Sequence, residues 1–111
     1  AVAKEIGESG HFQRHDVTRE EQWEAAVDLA ASRFGGLDAL VNNAGIVIVR
    51  SIEDTSLEEW RRQMAVNLDG AFLFAKHAAP LMKAQRSGVI LLTSSTAGLH
   101  GYPSRSPYGA A

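Results

Sequence analysis

The chain of 111 residues contains no cysteine. Disulfides and thiolate metal sites are therefore excluded. The lack of cysteine is compatible with a reducing compartment. No apolar run approaches the ~20 residues that span a bilayer as a helix. Residues 1–10 carry Lys4, Glu5 and Glu8 without an apolar core, so they do not read as a signal peptide. Proline is scarce, with three residues, and neither sign of charge dominates: eleven Lys and Arg face thirteen Asp and Glu. The net charge of -2 gives no support to a nucleic-acid or anionic-membrane partner. His11, His15, His77 and His100 show no metal-ligand spacing.

What is present is an ordinary globular balance, 45% hydrophobic and 22% charged. The length is that of one domain, too short for a dinucleotide-binding enzyme with a separate substrate domain. The chain starts mid-pattern and stops in Tyr108-Gly109-Ala110-Ala111 without a polar tail, so both ends read as cut.

The pattern alternates helix and strand. Residues 1–6 read as a helix tail closed by Gly7. His11 to Val17 is a short strand candidate. Thr18 with Glu21 makes a capping box, and Trp23, Ala26, Val27, Ala30 and Phe34 form one apolar helix face ended by Gly35-Gly36. Leu37 to Val41 is a second strand, running into the turn Asn42-Asn43-Ala44-Gly45. Ser56 with Glu59 is a second capping box, opening a helix of about 28 residues against a mean of ~11–12. Trp23 and Trp60 read as helical core anchors, and Arg61-Arg62 as a solvated face. From Ala71 to Met82 the long helix is apolar nearly all round, which predicts cover on more than one side; Pro80 should kink or end it. Val89 to Leu92 is a buried strand, followed by Thr93-Ser94-Ser95, a Gly- and Pro-punctuated loop, and a helix starting near Ser106.

Three strands alternating with helices predict a parallel α/β sheet covered on both faces. Ligands on such sheets sit beyond the carboxyl ends of the strands. Asp16, Asn42 to Gly45 and Ser94-Ser95 follow those three ends, which makes that edge the candidate site.

These residues resemble the middle of a classical short-chain dehydrogenase/reductase (SDR). The resemblance rests on Asp16-Val17, Asn42-Asn43-Ala44-Gly45, Asn67 in the long helix, and Ser95 thirteen positions before Tyr108. The stretch Ala97-Gly98-Leu99-His100-Gly101-Tyr102-Pro103 follows the same pattern, so the likeness covers essentially the whole chain. It implies one incomplete NAD(P)-binding domain over residues 1–111, a partial Rossmann-type, doubly wound, three-layer sheet. The Gly-rich phosphate loop would precede Ala1, and the catalytic Lys would be the first position after Ala111. The residues that choose NAD over NADP and that recognise substrate would also lie outside these 111 residues.

The implied activity is interconversion of a secondary alcohol and a ketone by hydride transfer with NAD or NADP. Tyr108 would be the acid/base. A free phenol, with a pKa of about 10, needs nearby positive charge to act near neutrality. Ser95 would hydrogen-bond the substrate oxygen. Asn67 would serve a catalytic relay, positioning a water near the Lys. Asn43, Ala44 and Gly45 would let the backbone approach the cofactor ribose, with Gly45 free to take positive φ. Asp16 would contact the adenine amino group, with Val17 packing beside the ring. Asn42 would tie neighbouring strands together.

Plainer roles stand beside these. Tyr108 can be a surface residue between Pro107 and Gly109, and Ser95 a turn or capping hydroxyl. Asn67 can be a buried amide satisfied by backbone, residues 43–45 an ordinary turn, and Asp16 support for a helix start. His100 can line a substrate pocket. The competing functions are a non-catalytic nucleotide-binding scaffold and a polypeptide that is inactive without the flanking elements. The resemblance further implies a cytoplasmic protein, a small alcohol or ketone as partner, no nucleic acid or membrane partner, and a homotetramer or homodimer in the full-length protein.

Overall fold

The computed structural model describes residues 2–111. The chain opens with α1 (Val2–Ile6) and a 3-10 turn over Gly7–Ser9. The expected helix over residues 1–6 is thus seen, with Ala1 outside the described residues. Then come α2 (Glu20–Phe34), β1 (Ala39–Asn42), α3 (Leu57–Met64), a π-turn over Ala65–Asp69, α4 (Gly70–Gln85), β2 (Val89–Leu92), a 3-10 turn over Thr96–Gly98, and α5 (Ser106–Ala110).

β1 and β2 pair in parallel, with Ala39 opposite Val89 and Asn42 opposite Leu92. The ladder starts with Val89 N–H donating to Asp38 O (2.9 Å) and ends with Thr93 N–H donating to Asn42 O (2.9 Å). Asn42, 8% exposed, ties the strands through this carbonyl. The sheet has two strands, where three were expected, and it is not covered on both faces: Val41, Val89, Leu91 and Leu92 are exposed, so β2, which packs chiefly on β1, is not the buried strand its apolar run predicts. Residues 10–16 have no regular structure. No described strand offers them a partner, and an extended segment without one cannot build a ladder.

α2 begins without the expected Thr18–Glu21 box. Its N-cap is Arg19, with no side-chain cap. The helix starts one residue later than that box requires: Thr18 precedes the N-cap and its hydroxyl donates to Asp16 Oδ1 (2.8 Å), while Glu21 accepts from Arg19. Gly35 closes α2 at φ 83°, a conformation suited to glycine. The Ser56–Glu59 box forms in full: Glu59 N–H donates to Ser56 Oγ (3.1 Å), and Ser56 N–H to Glu59 Oε2 (3.0 Å).

The long helix is continuous over residues 57–85, but not uniform. Gly70 N–H bonds back to Ala65 O, the wider spacing of a π-turn. Pro80 neither ends nor interrupts α4, which runs to Gln85. The buried stripe Gly70, Phe74, Ala78 and Met82 continues past the proline, and this packing outweighs the lost hydrogen bond. Burial follows that one stripe; Phe72 is 63% exposed, so the segment is not covered all round.

The core lies between α2 and α4. Trp23 and Phe74 meet edge to face, ring centroids 5.4 Å apart. Trp23 is buried, while Trp60 is half-buried, a lesser anchor than expected. Glu20 of α2 reaches Lys76 and His77 of α4. Gln85 then clasps the entry to β1: its Oε1 accepts from Leu37 N–H (2.9 Å) and its Nε2 donates to Leu37 O (3.1 Å). A Cβ on Gly36 would stand 2.8 Å from that Oε1, so the clasp requires glycine there. Among the described residues, no helix is long and apolar enough to cross a membrane, and no cluster of three or more His, Asp or Glu could hold a metal.

Candidate active site

β1 ends on Asn42 and β2 runs into Thr93-Ser94-Ser95, and a cavity of about 400 Å³ opens beyond them. Asn42 to Val47 line it from the β1 side, Thr93 to Ser95 from the β2 side. Asn67 reaches it from the π-turn, and Tyr108 from α5. Residues from four elements thus meet at one sheet edge, as parallel-sheet topology dictates. A second cavity, about 780 Å³, is lined by Arg14 to Val17, Gln22 and Val66. The two share one wall, Ala44-Gly45-Ile46.

Ser95 is half-buried and sits at the N-cap of the 3-10 turn, where its Oγ accepts from Ala97 N–H (3.2 Å). That bond uses a lone pair and leaves the hydroxyl hydrogen to donate into the cavity. The capping role is real and does not compete with the donor role. Tyr108 is half-buried on α5, behind the fully buried Pro107. α5 packs against α3 and the 3-10 turn, which fixes the side from which Tyr108 enters.

Asn67 spends its whole amide on the cavity wall. Its Oδ1 accepts from Ile46 N–H (2.9 Å), and its Nδ2 donates to Ile46 O (3.0 Å). The side chain stands in for a neighbouring strand, satisfying both backbone groups of Ile46. The π-turn carries Asn67 at its centre.

Gly45 departs from expectation. Its φ is not positive, and a Cβ there would meet only Asn67 Oδ1, at an ordinary 3.7 Å. No protein atom demands glycine; what its smallness provides is access to the wall between the two cavities. Asn43 and Ala44 are exposed on the same wall.

Asp16 and Val17 border the second cavity. Asp16 Oδ1 accepts from the Thr18 N–H (3.0 Å) and hydroxyl (2.8 Å). The Thr18 backbone bond first, then its side chain, holds the Asp16 carboxyl below its ordinary pKa. Oδ2 has no protein partner among the described residues. Val17 packs on Gly70, where a Cβ would stand 3.2 Å from Val17 Cγ2, and its carbonyl accepts from Trp23 Nε1 (2.9 Å). His100 lies off the main cavity, in a separate surface hollow with Leu99 and Tyr102.

The sequence reading missed Gln63, which is wholly buried and bonds Ile46 and Ile48. Its signal was position: Gln63 lies four residues before Asn67, on the same helix face.

The comparisons with known proteins identify the family. The family model described as short chain dehydrogenase matches residues 1–111. The trans-4-hydroxycyclohexanecarboxylate dehydrogenase of Sinomonas cyclohexanicum is 51% identical over 100 residues, covering 90% of this chain and 38% of that protein. The cyclopentanol dehydrogenase of Comamonas sp. is 40% identical over 110 residues, covering 99% of this chain and 44% of that protein. The solved structure described as ElxO with NADP bound superposes with a TM-score of 0.86 at 34% identity, over 90% of this chain and 41% of that one. The chain thus spans about two fifths of the proteins it matches. Motif order, parallel sheet and family match converge, and the chain belongs to the short-chain dehydrogenase family.

Proposed function

We propose that these residues are the central part of an NAD(P)-dependent oxidoreductase that interconverts a secondary alcohol and a ketone. Residues 1–111 are then one incomplete dinucleotide-binding domain. The observation that carries the reading is the convergence of Ser95, Tyr108 and Asn67 on one cavity, joined to a second cavity through Ala44-Gly45-Ile46. Two cavities on either side of a thin wall fit a ligand with two separated rings. Asp16 and Val17 flank the adenine end, and Asn43, Ala44 and Gly45 the ribose between. When bound, the nicotinamide takes up or supplies the hydride. Tyr108 removes the hydroxyl proton in oxidation and returns it in reduction. The Ser95 hydroxyl donates to the same substrate oxygen and stabilises its developing charge. Asn67 holds the Ile46 wall through backbone bonds, a positioning role; its place in the catalytic relay rests on the family resemblance and on its reaching the same cavity as Ser95 and Tyr108.

The two relatives named for ring alcohols make alicyclic secondary alcohols the first substrates to try. A homodimer or homotetramer belongs to the same proposal. It is supported by the exposed Leu68 and Phe72 on the long helix, 51% and 63% accessible.

The test is reduction of NAD and of NADP by the whole gene product with cyclopentanol and with 4-hydroxycyclohexanecarboxylate. Tyr108→Phe should lower kcat by about 10²–10⁴-fold, the usual share of general acid–base catalysis, while dinucleotide affinity is retained. Turnover at the wild-type rate in that variant would remove Tyr108 as acid/base. Dinucleotide binding without turnover in the unaltered protein would favour a nucleotide-binding scaffold.

A further inference from the structure

We infer that Gln63 is a positioning residue that sets the substrate-side wall of the active site, an inference that rests on the function proposed above. Gln63 has no exposed surface, a rare state for an amide, and burial of that kind requires full hydrogen bonding. Its Nε2 donates to Ile46 O, and its Oε1 accepts from Ile48 N–H (2.9 Å). Ile46 O thereby receives two donors, since Asn67 Nδ2 also reaches it.

The residue between these anchors is Val47, which lines the main cavity. Residues 43–49 belong to no strand, so no ladder holds them. Two amides one helical turn apart replace it. Asn67 fixes Ile46 alone; only Gln63 reaches across to Ile48. Asn67 thus fixes where the wall starts, and Gln63 fixes the direction in which it leaves, which sets the placement of Val47. Beyond it, Arg50 N–H donates to Ser104 O (2.8 Å), tying the far end to the loop before α5 and Tyr108.

The chemistry of the two contacts restricts the side chain. One contact needs a donor and the other an acceptor. Leucine or methionine fills the space and offers neither. A glutamate carboxylate would accept from Ile48 but set negative charge against the Ile46 carbonyl. Protonated glutamic acid satisfies both, with its O–H replacing the amide N–H. Burial favours that neutral form.

The test compares Gln63→Leu and Gln63→Glu with the unaltered whole gene product, measuring folded fraction by circular dichroism at every pH used. Gln63→Leu should lower kcat/KM for the alcohol by about ten- to a hundredfold, the scale of sub-ångström to ångström misplacement, with the larger part in KM. Dinucleotide affinity should change far less. Gln63→Glu should approach the unaltered kcat/KM in acid and lose it as pH rises through its raised carboxyl pKa, at constant folded fraction. A folded Gln63→Leu with unaltered KM and kcat would overturn the inference. So would a ratio of Gln63→Glu to unaltered kcat/KM that stays flat with pH. If Gln63→Leu does not fold, the Gln63→Glu ratio decides alone. An unaltered protein that oxidises no secondary alcohol with either dinucleotide fails the proposed function itself, and that result is read before any variant is made.

Discussion

Residues 11–17 and residues 46–48 both lie outside the sheet, and both border a cavity, through Arg14 to Val17 and through Ile46-Val47. They are held in opposite ways. Residues 11–17 are fastened near their end: Asp16 N–H donates to Gln22 Oε1 (2.7 Å), Val17 O accepts from Trp23, and His15 meets Trp23 edge to face with ring centroids 4.0 Å apart. Phe12, upstream of those contacts, is 77% exposed. Residues 46–48 are gripped along their length by the two amides of the long helix. Side chains thus supply donors and acceptors to segments that have no partner strand. Ile46 of the gripped segment lines both cavities, and Arg14 to Val17 line the second alone.

That contrast can be broken from either side. The largest effect should come from Trp23→Ala, which removes the anchor of residues 11–17 together with its contact to Phe74. A loss of about 3–5 kcal/mol is expected from the emptied core. Amide exchange should quicken at His15 to Val17 and stay slow at Ile46 and Ile48. Asn67→Leu should reverse the pattern, at about 1–3 kcal/mol for the unpaired Ile46 N–H. Exchange then quickens at Ile46 and is unchanged at Asp16 and Val17. Equal loosening of both segments in either variant would mean that they are not independent. Gln22→Ala is milder, below about 1 kcal/mol for one exposed hydrogen bond, and should be visible chiefly as faster exchange at Asp16.

The smallest effect concerns acid. Burial beside Trp23 pushes the His15 pKa below its ordinary 6.5, against a weaker opposing pull from Asp16. Its buried Nε2 has no hydrogen-bond partner among the described residues, so the fold favours the neutral ring. The unfolded chain takes up this proton first. The stability due to neutral His15 is therefore complete above about pH 6.5 and declines as pH falls toward the lowered folded value. His15→Phe should flatten that part of a plot of denaturation midpoint against pH. An unchanged slope would show that protonation of His15 does not limit the anchoring of residues 11–17.

Much of this was legible in the residues. The Ser56–Glu59 box and the Gly35 stop are each written in a few neighbouring positions and appear where local chemistry puts them; Val89–Leu92 is a strand as its apolar run predicts, but an exposed one, because burial depends on what else packs on it. Asn43 and Ser95 border one cavity because parallel topology sends both strand ends to one edge; Tyr108 reaches the same cavity from α5, and Asp16, which follows no strand, borders a second one. Most of the misses have non-local causes. Thr18 is the local one: it fits a cap by spacing, but the helix takes Arg19 as its N-cap and the Thr18 hydroxyl donates back to Asp16. His11 to Val17 alternates like a strand, but a strand needs a partner. Pro80 should break a helix, but the buried stripe runs past it. Gln63 reads as one more surface polar residue until Ile46 and Ile48, distant in sequence, fold against it.

The clasp of Gln85 on Leu37 has a consequence for the site it does not touch. It joins residues 48 apart in sequence and stands where the chain enters the sheet: β1 begins two residues after Leu37, and β2 four residues after Gln85. It is therefore the zero mark from which the two strands are measured. Moving it invites a slip of one strand along the other, and a slip of one residue exchanges the faces of every side chain in that strand. Asn42 would leave its place opposite Leu92, and the turn from Asn43 to Gly45 would shift against Ser95. Gly36, whose absent Cβ is what lets the clasp close, is thus a calibration point for the distance between two strand ends it never meets.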